Sequence, residues 1–172
     1  VPGMGRGALT FRTRLPCSAT VAAAWRERPG VDERLAPPWR PETMRGRLRP
    51  LGSNEHAHSQ RLLPDGDACM LEDRVEWRTS LGADAHARKE LGRVFAWRHR
   101  VTRGDLERAR DPAAPALVVG VTGASGFLGR ALCTALATRG HRVVRFVRAP
   151  AAAAAGEIAW DPARGVLDHG RL

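Results

Sequence analysis

Residues 116–129, ALVVGVTGASGFLG, carry the strongest structural pattern in the sequence. The first seven are mostly apolar and rich in valine, which is typical of a strand buried in a parallel sheet. Gly123, Gly126 and Gly129 follow, and an amphipathic helix is predicted from there to Gly140. Its apolar face is predicted to consist of Phe127, Leu128, Ala131, Leu132, Ala135 and Leu136. A strand, a glycine turn and a helix in this order predict the first βα unit of a dinucleotide-binding domain.

Each glycine of this turn has a physical role in binding a diphosphate. Gly123 allows the backbone to reverse, Gly126 lets a pyrophosphate approach the chain, and Gly129 lets helix and strand pack closely. The amide groups and the positive dipole end from Ser125 to Leu128 are predicted to face the phosphates. The alternative is a tight glycine turn in another kind of α/β unit. A Walker phosphate loop is excluded because the sequence contains no GK[ST].

A second strand is predicted at residues 141–147, HRVVRFV, and it ends beside Arg148. At this place a dinucleotide fold that prefers NAD carries an acidic residue, which holds the ribose 2′-hydroxyl. A guanidinium can instead bind a 2′-phosphate with two hydrogen bonds. The sequence therefore favours NADP, with NAD as the second choice, and the alternative is a solvated arginine at a strand end.

Two segments resemble a known family. The glycine motif VTGASGFLG is similar to that of the extended short-chain dehydrogenase/reductase and epimerase family. The segment EIAWDPARGVL, residues 157–167, resembles the third strand of an epimerase-like subgroup that some bacteria fuse behind a START-like domain. The resemblance implies that the cofactor is bound by Gly123, Ser125, Gly126, Phe127, Leu128, Gly129 and Arg148. Trp160 and Asp161 match the pattern without an implied role, and Trp160 is as well explained by packing.

The resemblance also implies where the chemistry would lie. Family enzymes use a tyrosine whose pKa is lowered by a lysine, while the nicotinamide carries the hydride. The sequence contains no tyrosine, and Lys89 is its single lysine. Both positions would lie beyond Leu172, so we predict no catalytic residue and expect the chain by itself not to be catalytically competent. Whether the parent enzyme is an oxidoreductase or an epimerase stays open.

The part upstream of Asp111 predicts a different architecture. Its elements are a strand at 8–15, a helix from Ser18 or Thr20 to Pro29, a loop at 36–53, strands at 56–63 and 68–79, and a helix at 84–110. The two later strands flank a Pro-Asp-Gly-Asp turn, which predicts an antiparallel hairpin. An antiparallel sheet covered by a long helix is an α+β arrangement.

The same part resembles a START-like (SRPBCC, polyketide cyclase-like) helix-grip domain. The segment FRTRLPCSATVAAAWRERPGVDERLAPPW, residues 11–39, is similar to its opening, and residues 63–82 and 95–108 are similar to its closing hairpin and gripping helix. Such domains curl a larger sheet around an apolar ligand, and this resemblance implies that the middle strands are missing through residues 44–56. We therefore expect a reduced START-like domain at 1–111, a linker at 112–115, and the first βαβ of an incomplete Rossmann fold, of class α/β, at 116–172.

The composition limits the remaining functions. The net charge of +10 comes from 27 arginines and one lysine, and this bias, with many alanines, is typical of GC-rich coding DNA. The basic run at Arg40, Arg45, Arg47 and Arg49 lacks interleaved aromatic residues, which argues against nucleic-acid binding. No stretch has the length and apolarity of a membrane helix, and arginines interrupt residues 1–14, so a cytoplasmic protein without a membrane partner is expected.

Other candidate sites are weaker. His56 and His58 share one face of a predicted strand, which suits a metal ligand pair but equally an ordinary strand face. The acids Glu72, Asp73 and Glu76 are better explained as cross-strand charge partners than as a catalytic pair. The three cysteines, Cys17, Cys69 and Cys133, form no disulfide or zinc pattern and are predicted to be small buried hydrophobes.

The predicted function is that of a fragment of an NADP-dependent epimerase- or dehydrogenase-like protein with an N-terminal START-like module. Its expected partners are a dinucleotide and a small apolar ligand, and no metal site is predicted. The alternatives are a non-catalytic module that binds an apolar ligand, a nonfunctional gene product and, as the weakest, a nucleic-acid binder.

Overall fold

The computed structural model describes residues 5–39, 53–79, 83–109, 115–148 and 156–168. The chain divides into two compact units. Unit 1 consists of Val1–Glu27 and Val31–Asp111, and unit 2 of Arg28–Gly30 and Pro112–Leu172. The basic run at 40–49 and most of the predicted linker lie outside the described residues. No helix in the described ranges is long and apolar enough to cross a membrane.

Unit 1 contains the predicted elements and one more. In chain order they are β1 (Gly5–Leu15), α1 (Ala19–Arg26), α2 (Val31–Leu35), β2 (Ser53–Asp65), β3 (Ala68–Thr79) and α3 (Asp84–Arg108). Ser18 caps α1, and its side chain accepts a hydrogen bond from the amide of Val21 at 3.4 Å. The sequence did not predict α2, because five residues span too few turns to show a helical period.

The three strands of unit 1 form an antiparallel sheet in the order β1-β3-β2. Side chains of the central strand alternate, because successive residues of a strand point to opposite faces. Those on the buried face are Leu71, Asp73, Val75, Trp77 and Thr79. Helix α3 packs on this face, where Phe95 clusters with Val75 and Trp77 and stacks on Phe11 of β1, with ring centroids 4.9 Å apart.

A partly buried ion pair joins the two helices α2 and α3. Arg34 donates from Nε and from a terminal guanidinium nitrogen to the two carboxylate oxygens of Asp105, at 3.0 and 2.9 Å. The Asp105 side chain is fully buried. The hydrogen bond from the guanidinium to this carboxylate raises the pKa of Arg34 against the opposing effect of burial. A neighbouring apolar cluster includes Leu15, Trp25 and Leu106.

Unit 2 contains a short sheet and one helix. Its elements are β4 (Val118–Thr122), α4 (Phe127–Thr138), β5 (Arg142–Val147), β6 (Glu157–Asp161) and β7 (Val166–Leu167). The strand order is β4-β5-β6-β7, with the first two pairings parallel and the last antiparallel. The predicted βαβ unit is therefore present, and the predicted third strand continues into a hairpin.

The predicted apolar face of α4 is wrong in part. Cys133 is buried, and it clusters with Val121 of β4. Phe127 and Leu128, however, are each 78% exposed. A helix that packs on a sheet of few strands buries only a narrow stripe, so apolar residues beside the stripe stay in contact with solvent. Of the cysteines, Cys69 and Cys133 are buried as predicted, and Cys17 is only half-buried.

Candidate functional site

The glycine turn begins where β4 ends. Gly123 follows Thr122 with φ of +65°, a left-handed conformation that glycine adopts without strain from a side chain. The amide of Gly126 donates to the carbonyl oxygen of Gly123 at 2.9 Å, which closes the turn. The chain thus reverses within four residues and enters α4 directly.

The third glycine lies against the first. A Cβ atom on Gly129 would overlap the carbonyl oxygen of Gly123 and would lie 2.8 Å from the Cα atom of Ala124. A Cβ atom on Gly126 would lie 3.3 Å from the same carbonyl oxygen. The first turn of α4 is therefore packed onto the end of β4 more closely than any side chain at residue 129 allows.

The N-terminus of α4 offers backbone donors to an anion. The cap residue Gly126 has no side-chain acceptor, and the first turn contains no acidic residue. The first helical hydrogen bond runs from the amide of Arg130 to the carbonyl oxygen of Gly126 at 3.0 Å. The amides that precede Arg130 in the first turn of α4 have no acceptor within the helix. The helix dipole also gives this end a partial positive charge. Ser125, Phe127 and Leu128 are exposed here. Such an end is suited to a diphosphate.

Arg148 lies at the same edge of the sheet as the glycine turn. The parallel register places Thr122 of β4 opposite Phe146 of β5, so both strands end at this edge. Arg148 follows the last residue of β5, Val147, and is exposed. The seven residues predicted to bind the cofactor therefore lie at the ends of two adjacent strands and at the start of the helix between them.

Trp160 and Asp161 make structural contacts. The Trp160 ring lies 5.9 Å from that of Phe146 between centroids, across the pairing of β5 and β6. Asp161 accepts hydrogen bonds at Oδ1 from the amides of Ala163 and Arg164, at 3.0 and 3.3 Å. This is the geometry with which an aspartate holds a turn. The Trp-Asp-Pro segment thus packs the sheet and begins the hairpin to β7.

A buried polar network that the sequence did not predict lies between α3 and the sheet in unit 1. Asp73 of β3 is buried and contacts His58 Nε2 at 2.5 Å and His99 Nε2 at 2.9 Å. Gln60 of β2 donates to Asp73 at 3.1 Å, and His99 Nδ1 lies 2.8 Å from the hydroxyl oxygen of Thr13. Burial raises the pKa of Asp73, but hydrogen bonds from both histidines and their Coulombic attraction outweigh it and hold this pKa below its ordinary value.

These contacts revise the weaker predictions. His58 hydrogen-bonds to Asp73, the side chain of His56 lies outside the described part, and no described group of three His, Cys, Asp or Glu residues is arranged for a metal ion. The cross-strand partner predicted for Glu72 is confirmed, because Arg12 of β1 donates to it at 2.7 Å. For Glu76 the prediction was wrong. It binds Arg74 on its own strand, since residues two apart share a face.

Known proteins resemble the chain in two ways. Residues 119–163 match the model of the NAD dependent epimerase/dehydratase family. Among solved structures, the chain is similar to the nucleoside-diphosphate sugar epimerase from Corynebacterium glutamicum, with a TM-score of 0.65 and 21% sequence identity. The similarity covers 90% of this chain, which spans 41% of the length of that one. No curated protein matches the chain.

The family match supports the predicted epimerase-like character of unit 2. The matched residues include all of β4 except Val118, together with the glycine turn, α4, β5 and β6. The family's dependence on NAD also supports a nicotinamide dinucleotide as the cofactor of this region. The similarity to the solved epimerase supports a shared mixed α/β fold. The START-like identity of residues 1–111 stays a prediction.

Proposed function

We propose that unit 2 is the opening part of the cofactor domain of an NADP-dependent epimerase- or dehydrogenase-like enzyme. The observation that carries this proposal is the close packing of Gly129 on Gly123 beside an uncapped helix end. The amides of Ser125, Phe127 and Leu128 would bind the diphosphate, because the amide of Gly126 already donates to Gly123, and the side chains of Phe127 and Leu128 would flank the ligand. The nicotinamide would supply hydride transfer in the complete enzyme, while this chain provides the adenosine side of the site.

Arg148 is proposed to select NADP over NAD. It follows β5 at the edge that also holds the glycine turn, the place where the ribose of a dinucleotide lies in such folds. A guanidinium there pairs with a 2′-phosphate, whereas an NAD-preferring site needs a carboxylate for the 2′-hydroxyl. The distinction is electrostatic, so it predicts a preference that weakens with added salt.

The START-like identity of unit 1 is proposed from the sequence resemblance and from the order of its elements. An antiparallel hairpin followed by a 25-residue helix on the sheet face agrees with a reduced helix-grip arrangement. A small apolar ligand of the whole domain receives less support. Phe95, Val75 and Leu91 are each at most 1% exposed and fill the space between α3 and the sheet, where such a ligand would lie.

Titration of the purified chain with NADPH and NADH tests the proposed function. We expect NADPH to bind at least tenfold more tightly than NADH, and Arg148→Ala to weaken NADPH binding alone. Gly126→Ala should weaken both, because its Cβ occupies the path of the diphosphate. Gly92→Ala is the matched control, since a Cβ there meets nothing within 4 Å. Equal affinities that survive Arg148→Ala would refute the NADP assignment, and unchanged binding by Gly126→Ala would refute the site itself.

A further inference from the structure

A groove in unit 1 lies between the edge strand β1 and helix α3. Its volume is about 390 Å³, near the lower end of the range for small-molecule sites. Phe11 and Ala96 form an apolar wall, and Thr13 and His99 form a polar one. The orientation of the His99 ring is fixed, because its two nitrogens hydrogen-bond to Thr13 and to the buried Asp73.

Three arginines line the same groove, and two of them are neutralised. Arg12 donates to Glu72 at 2.7 Å, and Arg103 donates to Glu107 at 2.7 Å. Arg100 instead lies over the ring of Trp97, 5.0 Å from its centroid, and no carboxylate among the described residues is paired with it. Within the described ranges, the groove therefore carries one guanidinium charge that is not paired with a carboxylate.

The placement of Arg100 suits a planar anion. Stacking on an aromatic face restrains a guanidinium and leaves the donors in its plane available. Those donors match a carboxylate, with two parallel hydrogen bonds. A single uncompensated charge fits a monoanion better than a doubly charged phosphate, and the wall of Phe11 and Ala96 fits an apolar body attached to it.

We propose that this groove binds a small organic carboxylate, with Arg100 on the carboxylate and the apolar part against Phe11 and Ala96. The site is independent of the dinucleotide site proposed for unit 2, because all its residues belong to β1 and α3. It also differs from the apolar-ligand cavity expected of a START-like domain. The groove lies at the edge of the sheet, and it would select its ligand by the charge of Arg100.

The proposal is tested by titrating the isotope-labelled full chain with 4-phenylbutyrate and following amide chemical shifts. We expect shifts at residues 11–13 and 96–103. Binding of the uncharged amide of the same compound should be at least tenfold weaker, and inorganic phosphate should also bind at least tenfold more weakly. Arg100→Ala should lower the affinity for the carboxylate at least tenfold, and Arg100→Lys should lower it less.

Two further variants make the outcome decisive. Arg88→Ala is the matched control, because Arg88 also stacks on a tryptophan of unit 1, Trp77, but is not a groove residue. Ala96→Trp should block binding by filling the groove, and the exposed position of Ala96 allows the fold to be kept. Equal affinity of carboxylate and amide, equal or tighter binding of phosphate, or wild-type affinity in Arg100→Ala would each overturn the proposal.

Discussion

Gly129 packs directly on the carbonyl group of Gly123, so that even a methyl group at residue 129 would overlap the carbonyl oxygen. The contact is between backbone atoms on both sides, which leaves no flexible side chain to move away. The spacing of the glycines at residues 123 and 129 is therefore a steric requirement for the packing of unit 2, apart from its role in the proposed dinucleotide site.

Gly129→Ala is expected to destabilise unit 2. Overpacking of this kind costs about 1–3 kcal/mol, which exceeds the gain in helix propensity from glycine to alanine. Hydrogen exchange of the β5 amides measures the effect within this unit. Gly92→Ala on α3, where a Cβ meets no neighbour, should instead stabilise its helix by about 0.5–1 kcal/mol. A Gly129→Ala protein with wild-type exchange rates would contradict the steric argument.

Asp73→Asn is expected to reduce stability most near neutral pH. The folded-state pKa of Asp73 lies below its ordinary value of 3.8, so the ionised network stabilises the fold above that value. This contribution is lost as the pH falls below 3.8 toward the folded pKa. The loss at pH 7 should be about 2–3 kcal/mol, since hydrogen bonds to a buried charge are broken.

Urea unfolding of both proteins at several pH values between 7 and 2.5 measures this dependence. The difference in the free energy of unfolding should shrink toward the acidic end. Asp65→Asn is the control, because Asp65 pairs with Arg14 at 2.7 Å on the surface and should contribute less than about 1 kcal/mol. A difference that stays constant with pH would show that Asp73 does not act through its charge.

Arg34→Ala is expected to be among the most damaging substitutions in unit 1. It removes the bidentate partner of the fully buried Asp105 carboxylate and leaves Arg108, at 3.9 Å, as a more distant cation, and breaking a buried ion pair costs about 3–5 kcal/mol. Arg34→Lys should lose less, because it keeps the charge. Arg26→Ala provides the comparison, since Arg26 pairs with the largely exposed Asp32. Thermal unfolding should separate the variants clearly, and equal melting temperatures of Arg34→Ala and Arg26→Ala would exclude the predicted role.

Asp161→Ala is expected to loosen the hairpin between β6 and β7. The substitution removes the acceptor for the amides of Ala163 and Arg164, at a cost of about 0.5–1.5 kcal/mol for each hydrogen bond. Faster hydrogen exchange at those two amides, with little change at β4, is the expected result. Asp168→Ala is the control on the same hairpin, and equal effects of both variants would argue against a specific turn function for Asp161.

Local patterns predicted the elements where a few neighbouring residues determine the backbone. Gly66 has φ of +61° in the turn between β2 and β3, as its position after Pro64 and Asp65 indicates. The valines of β4 and the glycine spacing likewise predicted a parallel strand followed by a helix. In each case the preference belongs to the residues of the segment itself, so a single sequence contains the information.

Contacts between distant segments could not be predicted in the same way. The hydrogen bond of His99 to Thr13 joins residues that are 86 positions apart, and Asp73 resembled any other acid on a strand. The predicted buried face of α4 was wrong in part for a related reason. The period of a helix identifies an apolar stripe, but it does not show which part of that stripe the sheet covers. The polar network under α3 becomes visible only when three strands and a helix are brought together.

The antiparallel direction of β7 restricts how the sheet of unit 2 can be extended. β7 occupies the outer edge of β6 at Trp160 and Asp161. Among the described residues, β4 has a strand neighbour on one side only. A further parallel strand would thus pair with the free side of β4, and β4 would change from an edge strand to an interior strand. The glycine turn would then stand where the order of strands changes direction, the crevice in which open α/β sheets hold their ligands.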